Sequence, residues 1–176
     1  MSIRERQAPL RERYQQEPET AIQRLVVESR GGDVADPLHA EIGPTWLPSV
    51  TWRTGAHPAV GGEGDAPCSG DVLLGALAAC QEITLRMVAA NMGIEIRELR
   101  VTVEADWDAR GTLAMGRGFP VGIRAITCHT EVTIAEDANG ERAERLLRSA
   151  ERYCVVLDTL RTGVDVDARI DVRGAA

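Results

Sequence analysis

The spacing of apolar positions changes period several times along this chain, and each change predicts an element. Leu99, Val101, Val103, Ala105 and Trp107 fall on one side of a two-residue repeat, opposite Arg100, Thr102, Glu104, Asp106 and Asp108. That is the pattern of a strand with one covered face. Ile126, Cys128, Thr130, Val132 and Ile134 predict a second such strand, reached through the Gly-rich stretch from Gly111 to Gly122, and Val164, Val166, Ala168, Ile170 and Val172 predict a last one. Shorter strand candidates run from Leu25 to Ser29, His39 to Ile42 and Ser49 to Arg53, with Gly and Pro turns between them. Beyond the loop Gly61 to Pro67, Ser69 or Asp71 supplies an N-cap for a helix reaching about Met92, where Gly93 ends it. From Val72 to Cys80 this helix is apolar on nearly every face, and Glu82 and Arg86 then mark one polar side. A helix apolar all round is buried all round, which in a domain of this size predicts that a second subunit covers it. After Asp137-Ala-Asn-Gly140 a further helix places Ala143, Leu146, Leu147, Ala150 and Cys154 on one stripe, with Glu141/Arg145 and Glu144/Arg148 outside. The whole reads as α+β, two helices covering an antiparallel sheet.

Residues 1–24, rich in Arg, Glu and Gln, read as a helical arm ahead of one domain over 25–176; the arm is either a solvated extension or is laid over a partner subunit. At 176 residues the chain is long enough to bury a core without disulfide staples. The net charge of −7 argues against nucleic acid as partner, since phosphate binding needs a basic face. All 20 basic residues are arginine, so arginine is the one cation type a site could recruit. A charged N-terminus and the lack of an eighteen-residue apolar run predict neither signal peptide nor membrane association, hence a cytoplasmic, reducing compartment in which free thiols persist. His39, His57 and His129 share no ligand spacing, and Gly61-Gly62-x-Gly64 lacks the Lys-Ser/Thr ending of a phosphate loop. No metal and no cofactor are expected.

The candidate chemistry lies in two cysteines that each close an apolar helical stripe, Cys80 and Cys154. Their separation excludes a Cys-x-x-Cys motif, so only the fold could bring them together. On the residues alone they are either buried hydrophobes or a thiol redox pair. Cys80 lies beyond the first turn of its helix, where the dipole has faded, so a thiolate there calls for a nearby cation. Cys154, near the C-terminal end of its helix, meets partial negative charge and suits a resolving thiol. Cys68 reads as a loop thiol and Cys128 as core.

The run from Gly61 to Met87, GGEGDAPCSGDVLLGALAACQEITLRM, followed by Ala150-Glu-Arg-Tyr-Cys-Val-Val-Leu-Asp-Thr-Leu160, resembles the OsmC/Ohr family of thiol peroxidases over about residues 25–173. The resemblance implies antiparallel sheets packed on two central helices in an intertwined homodimer, with a Cys80/Cys154 site that reduces organic hydroperoxides or hydrogen peroxide. An external thiol or lipoyl group would restore the pair. Family members carry a glutamate ten residues before the first cysteine that orients an activating arginine; Gly70 stands there in this chain, with Asp71 next to it. Asp71 is either a substitute or a helix cap, the cap being preferred. Arg53 is the best match to the family arginine and Arg30 a weaker one, while the family's Cys-Pro is Cys154-Val155 here. The missing glutamate motivates an alternative, a non-catalytic ligand-binding or stress-associated dimer of the same fold.

Overall fold

The structure, a computed structural model, describes residues 1–135 and 140–172. Helix α1 (Ile3–Gln16) opens with a capping box in which Ser2 Oγ accepts from the Glu5 N–H and the Glu5 carboxylate accepts from the Ser2 N–H. A single 3₁₀ turn, Pro18–Ala21, follows. Strands β1 (Val27–Ser29), β2 (His39–Pro44) and β3 (Trp52–Gly55) form an antiparallel sheet in that order. The short strands sit within a few residues of their expected places. Arg30 clips this sheet. Its guanidinium donates to the carbonyls of Pro48, Val50 at 2.9 Å and Pro44 at 2.8 Å, and to Thr51 Oγ1, and it lies so close over Gly43 that a Cβ there would come within 2.8 Å of Cζ.

Helix α2 (Ser69–Met92) spans 24 residues and ends on Gly93, which takes the left-handed conformation at φ 65°. Its N-cap is Cys68, one residue earlier than expected: the sulfur accepts from the Asp71 N–H at 3.4 Å while Asp71 Oδ2 accepts from the Cys68 N–H at 2.8 Å. Asp71 thus occupies the third position of a capping box, on the side of the helix terminus where negative charge is favoured. At the far end the orphan carbonyls of Asn91 and Met92 receive the guanidinium groups of Arg4 and Arg142 at 2.6 and 3.1 Å. The first of these, with the Asn91 to Gln7 bond at 3.0 Å, lays α1 against the end of α2 of its own chain.

Strands β4 (Ile96–Asp106) and β5 (Ala125–Ile134) pair antiparallel, with a bulge between Ile96 and Glu98. Between them the connection folds on itself: the one-turn helix α3 (Ala109–Thr112) is capped by Asp108, and the Arg110 side chain packs over the Phe119 ring. Two helices follow, α4 (Glu141–Tyr153) and α5 (Val155–Thr162), and α2 packs against β4, α4 and α5. The core is Leu85, Ala89, Ile94, Leu146 and Ala150, closed by Val88, Met92, Ile96, Leu99, Val132 and Ile134. The turn expected over Asp137 to Asn139 lies outside the described residues.

One expectation is corrected. Residues 163–172 form no strand; the alternation is present in sequence, yet Val166, Ile170 and Val172 are 83%, 91% and 91% exposed. Alternating side chains make a strand only where a neighbouring backbone takes the ladder hydrogen bonds, and none is available to this segment among the described residues. Within the single chain α2 is covered on one side. Leu77, Gln81, Thr84, Leu85 and Ala89 face inward, whereas Leu73, Gly75, Ala76, Ala79 and Ile83 face outward as an apolar stripe.

Candidate functional site

The fold brings Cys80 and Cys154 together. Helix α4 ends at Tyr153 and α5 begins at Val155, so Cys154 is at once the C-cap of one and the N-cap of the other, with φ −78° and ψ 101°. The break occurs although no proline follows the cysteine. Its consequence is electrostatic. The first N–H groups of a helix have no partner within it, and no side chain among the described residues caps α5.

Cys80 lies half-buried on α2 against this junction, and Cys154 is fully buried beside it. Burial alone would push the Cys80 thiol up. The N–H of Val156, the Cys154 thiol, the Thr84 hydroxyl and the N–H of Val155 together outweigh it, holding Cys80 below the ordinary cysteine value. Cys154 moves the other way, pushed up to about 11, first by burial and then by the neighbouring Cys80 sulfur, against the opposing pull of the Leu157 amide. Of the two thiols Cys80 is therefore the one that gives up its proton first, while Cys154 keeps its own. The C-terminal negative end expected at Cys154 is only half of its environment, because the positive end of α5 starts at the same residue.

Arginine is absent from the leading influences on Cys80. Arg53, on β3, is half exposed and donates to Asp65 Oδ2 at 2.7 Å. Asp65 Oδ1 lies 2.9 Å from His39 Nε2, whose Nδ1 lies 2.8 Å from Asp36 Oδ2. This chain of charges holds the loop before α2 to β2 and β3. It lowers Asp65 to about 2, through His39 first and Arg53 second, and raises His39, through Asp65 first and Asp36 second. Glu63 joins His39 and Asp65 with ligand atoms within 4.8 Å of one another, a grouping that the spacing of histidines did not reveal. Both ring nitrogens of His39 are already taken by carboxylates. Asp71 is spent on the Cys68 cap and Arg30 on the β2–β3 connection.

Three features of the site escaped the sequence reading. Thr84 stands one helical turn after Cys80 and is buried, a spacing that was legible. Gln81 is also buried, and its Oε1 has no hydrogen-bond partner among the described residues. It opens onto a groove of about 670 Å³ lined by Leu77, Leu85, Ile126, Cys128, Leu157 and Arg161 among others. The backbone donors of α5 carry no residue signature at all.

Compared with known families, residues 62–169 match the OsmC family, described as OsmC-like protein. The chain belongs to the OsmC-like family. Solved structures agree on the fold. This OsmC-like chain is similar to an OsmC-like protein from Mycoplasma pneumoniae (17% identity, TM-score 0.60, covering 79% of this chain and 88% of that one). It is also similar to an organic hydroperoxide resistance protein OsmC from Legionella pneumophila (21%, 0.58, 82% and 93%). A third is an OsmC-like protein of unknown function from Vibrio cholerae (8%, 0.62, 78% and 94%). At these identities the likeness establishes the fold. No curated protein sequence matches the chain.

Proposed function

We propose that this OsmC-like chain is a thiol-dependent peroxidase acting on organic hydroperoxides or hydrogen peroxide. The observation that carries this reading is the opposed proton affinity of two adjacent thiols, a lowered and partly accessible Cys80 beside a raised and buried Cys154. Membership of the family and the hydroperoxide resistance of the Legionella relative support it. The Cys80 thiolate attacks the terminal peroxide oxygen; the O–O bond breaks, the alkoxide takes a proton and leaves as the alcohol or water, and Cys80 becomes a sulfenic acid. Cys154 then attacks that sulfur, giving the Cys80–Cys154 disulfide and one water. An external dithiol, or a dihydrolipoyl group, supplies two electrons and two protons to restore both thiols and is itself oxidised to a disulfide. Arg53 enters this scheme as a cation brought to the site by a second subunit, with Asp65 holding its guanidinium in place.

The assembly is a homodimer in the cytoplasm. The outward stripe of α2, Ala76, Ala79 and Ile83 in particular, and the unpaired segment after Gly163 are the surfaces a second copy would cover. A second reading, a ligand-binding dimer without turnover, is favoured by the groove at Gln81.

The test is asymmetric. Cys80→Ser should abolish peroxide consumption, whereas Cys154→Ser should allow a single oxidation that stops at Cys80 sulfenic acid or higher oxides. Site-resolved mass spectrometry after one equivalent of cumene hydroperoxide checks this. Oxidation of Cys154 at the wild-type rate in Cys80→Ser would reverse the roles, and no consumption by the wild-type protein with dihydrolipoamide present would favour the binding reading.

A further inference from the structure

We propose that the connection between β4 and β5 is a lipid-binding tip by which the protein docks on an anionic bilayer surface. The inference goes beyond the peroxidase reading and does not depend on it.

Its starting point is composition. From Ala109 to Arg124 the chain carries Arg110, Arg117 and Arg124 and no acidic residue, within a protein of net charge −7. The apolar residues of the same segment are not withdrawn from water. Every residue from Thr112 to Gly118 is exposed, and Leu113, Met115 and Val121 are 51%, 63% and 64% exposed. Apolar side chains scattered singly over a surface need no explanation, whereas a group of them confined to one projecting tip marks a surface with a partner.

The tip is held in shape by its own backbone. The amides of Leu113, Ala114 and Met115 donate to the carbonyls of Ala109 at 2.9 Å, Gly111 at 3.1 Å and Arg110 at 3.0 Å. Its two limbs meet at Gly111, where an added Cβ would come within 2.2 Å of the Pro120 carbonyl oxygen. Ala114 sits at φ 54°, the one non-glycine residue among those described to enter the left-handed region, which an alanine does only where its surroundings impose it. Phe119 is taken up internally, under the Arg110 guanidinium at 4.2 Å, and Arg110 is in turn held by Asp108 at 2.7 Å. Arg117 and Arg124 enter no ion pair among the described residues. Two guanidinium groups thus remain available beside an exposed apolar tip. Nucleic acid or an acidic protein surface would use the arginines and leave Leu113 and Met115 in water. An anionic bilayer uses both, the arginines at its headgroups and the apolar side chains at the acyl boundary. The expectation of no membrane association rested on the lack of a spanning run and a leader, and a surface tip carries neither mark.

Co-sedimentation of the full-length protein with vesicles of phosphatidylglycerol and phosphatidylcholine, against vesicles of phosphatidylcholine alone, tests this. Binding to the mixed vesicles should be at least about tenfold tighter than to the neutral ones and should weaken at high salt, as screening removes the attraction of the arginines. Arg117→Glu should weaken it by at least about tenfold, the scale of reversing one charge near such a surface, and Leu113→Ser combined with Met115→Ser should weaken it comparably. These side chains are exposed, so the unfolding temperature of each variant should stay at the wild-type value. No binding to the mixed vesicles, equal binding to neutral ones, or binding that ignores the substitutions would overturn the proposal. Insertion is read separately. The fluorescence of Met115→Trp, compared with the wild type, should move to shorter wavelength with the mixed vesicles; sedimentation without that shift would assign the arginines to an acidic partner surface and overturn the lipid site.

Discussion

A side chain's proton is governed by what lies within a few ångströms of it, and the two ionisable clusters of this protein show how far that differs from sequence neighbourhood. Cys80 and Thr84 are one turn apart and could be paired on paper, yet the amides of Val155 and Val156, some 75 positions further along the chain, help to lower the same thiol. Sequence reading looks for side chains, so it offered an arginine and had no means to see backbone amides. His39 illustrates the same point. Its partners Asp36 and Asp65 come from the loops on either side of β2 and β3, and the nearer in sequence is not the stronger. The expected consequence is a His39 imidazole that titrates above its ordinary value of 6.5. A histidine whose folded value is raised contributes stability that is fully present below about pH 6.5 and is lost as pH rises through the folded value. Proton-detected NMR titration of the His39 ring should show this, and Asp65→Asn, which removes the larger of the two causes, should bring the midpoint back toward 6.5. An unshifted midpoint in the wild type would mean that the ion-pair chain does not persist in solution.

At the level of elements, the helix α2 was readable almost to the residue because its signals are local: an apolar run, a polar i, i+4 pair and a terminal glycine. Its cap was read one residue late because cysteine is not among the usual N-cap residues, although a thiol accepts an amide proton as Ser or Thr would. Strands β4 and β5 were equally clear, since each presents a full period-two face to the helices. What the pattern could not supply was the loop that delivers α2. There Gly62 sits where an added Cβ would come within 1.7 Å of the Ala56 carbonyl oxygen, while its N–H donates to the His57 carbonyl at 3.1 Å. Gly62→Ala should therefore force the backbone apart and lower stability by about 1–3 kcal/mol, read as a shift of the urea midpoint with unchanged slope. Leu146→Ala probes the other side of the helix. Leu146 is fully buried between α4 and α2, and the cavity left should cost about 2–5 kcal/mol in the same measurement. A loss below 1 kcal/mol would show that α4 collapses onto α2 more readily than its packing suggests.

For the molecule as a whole, the sequence named the surfaces and left their partners unspecified. The apolar stripe Ala76, Ala79 and Ile83 and the alternating tail after Gly163 have the composition of covered elements and stand open in the single chain. If a second copy covers them, Ile83→Glu should weaken the dimer by at least about tenfold, because a carboxylate would have to lose its water against an apolar face. Sedimentation equilibrium from nanomolar to micromolar concentration checks this, and a wild-type protein that stays monomeric and folded throughout would exclude the dimer. The tail carries the matter further. Extended chain with unpaired amides and alternating apolar side chains is adhesive, and natural sheets ordinarily blunt or hide such edges. Here its interleaved Asp165, Asp167, Arg169 and Asp171 temper it. When such a segment finds its place only on another molecule, abundance becomes a folding variable: the melting temperature climbs with protein concentration by mass action, and a dilute preparation is not merely a weaker sample of the same protein but a less folded one.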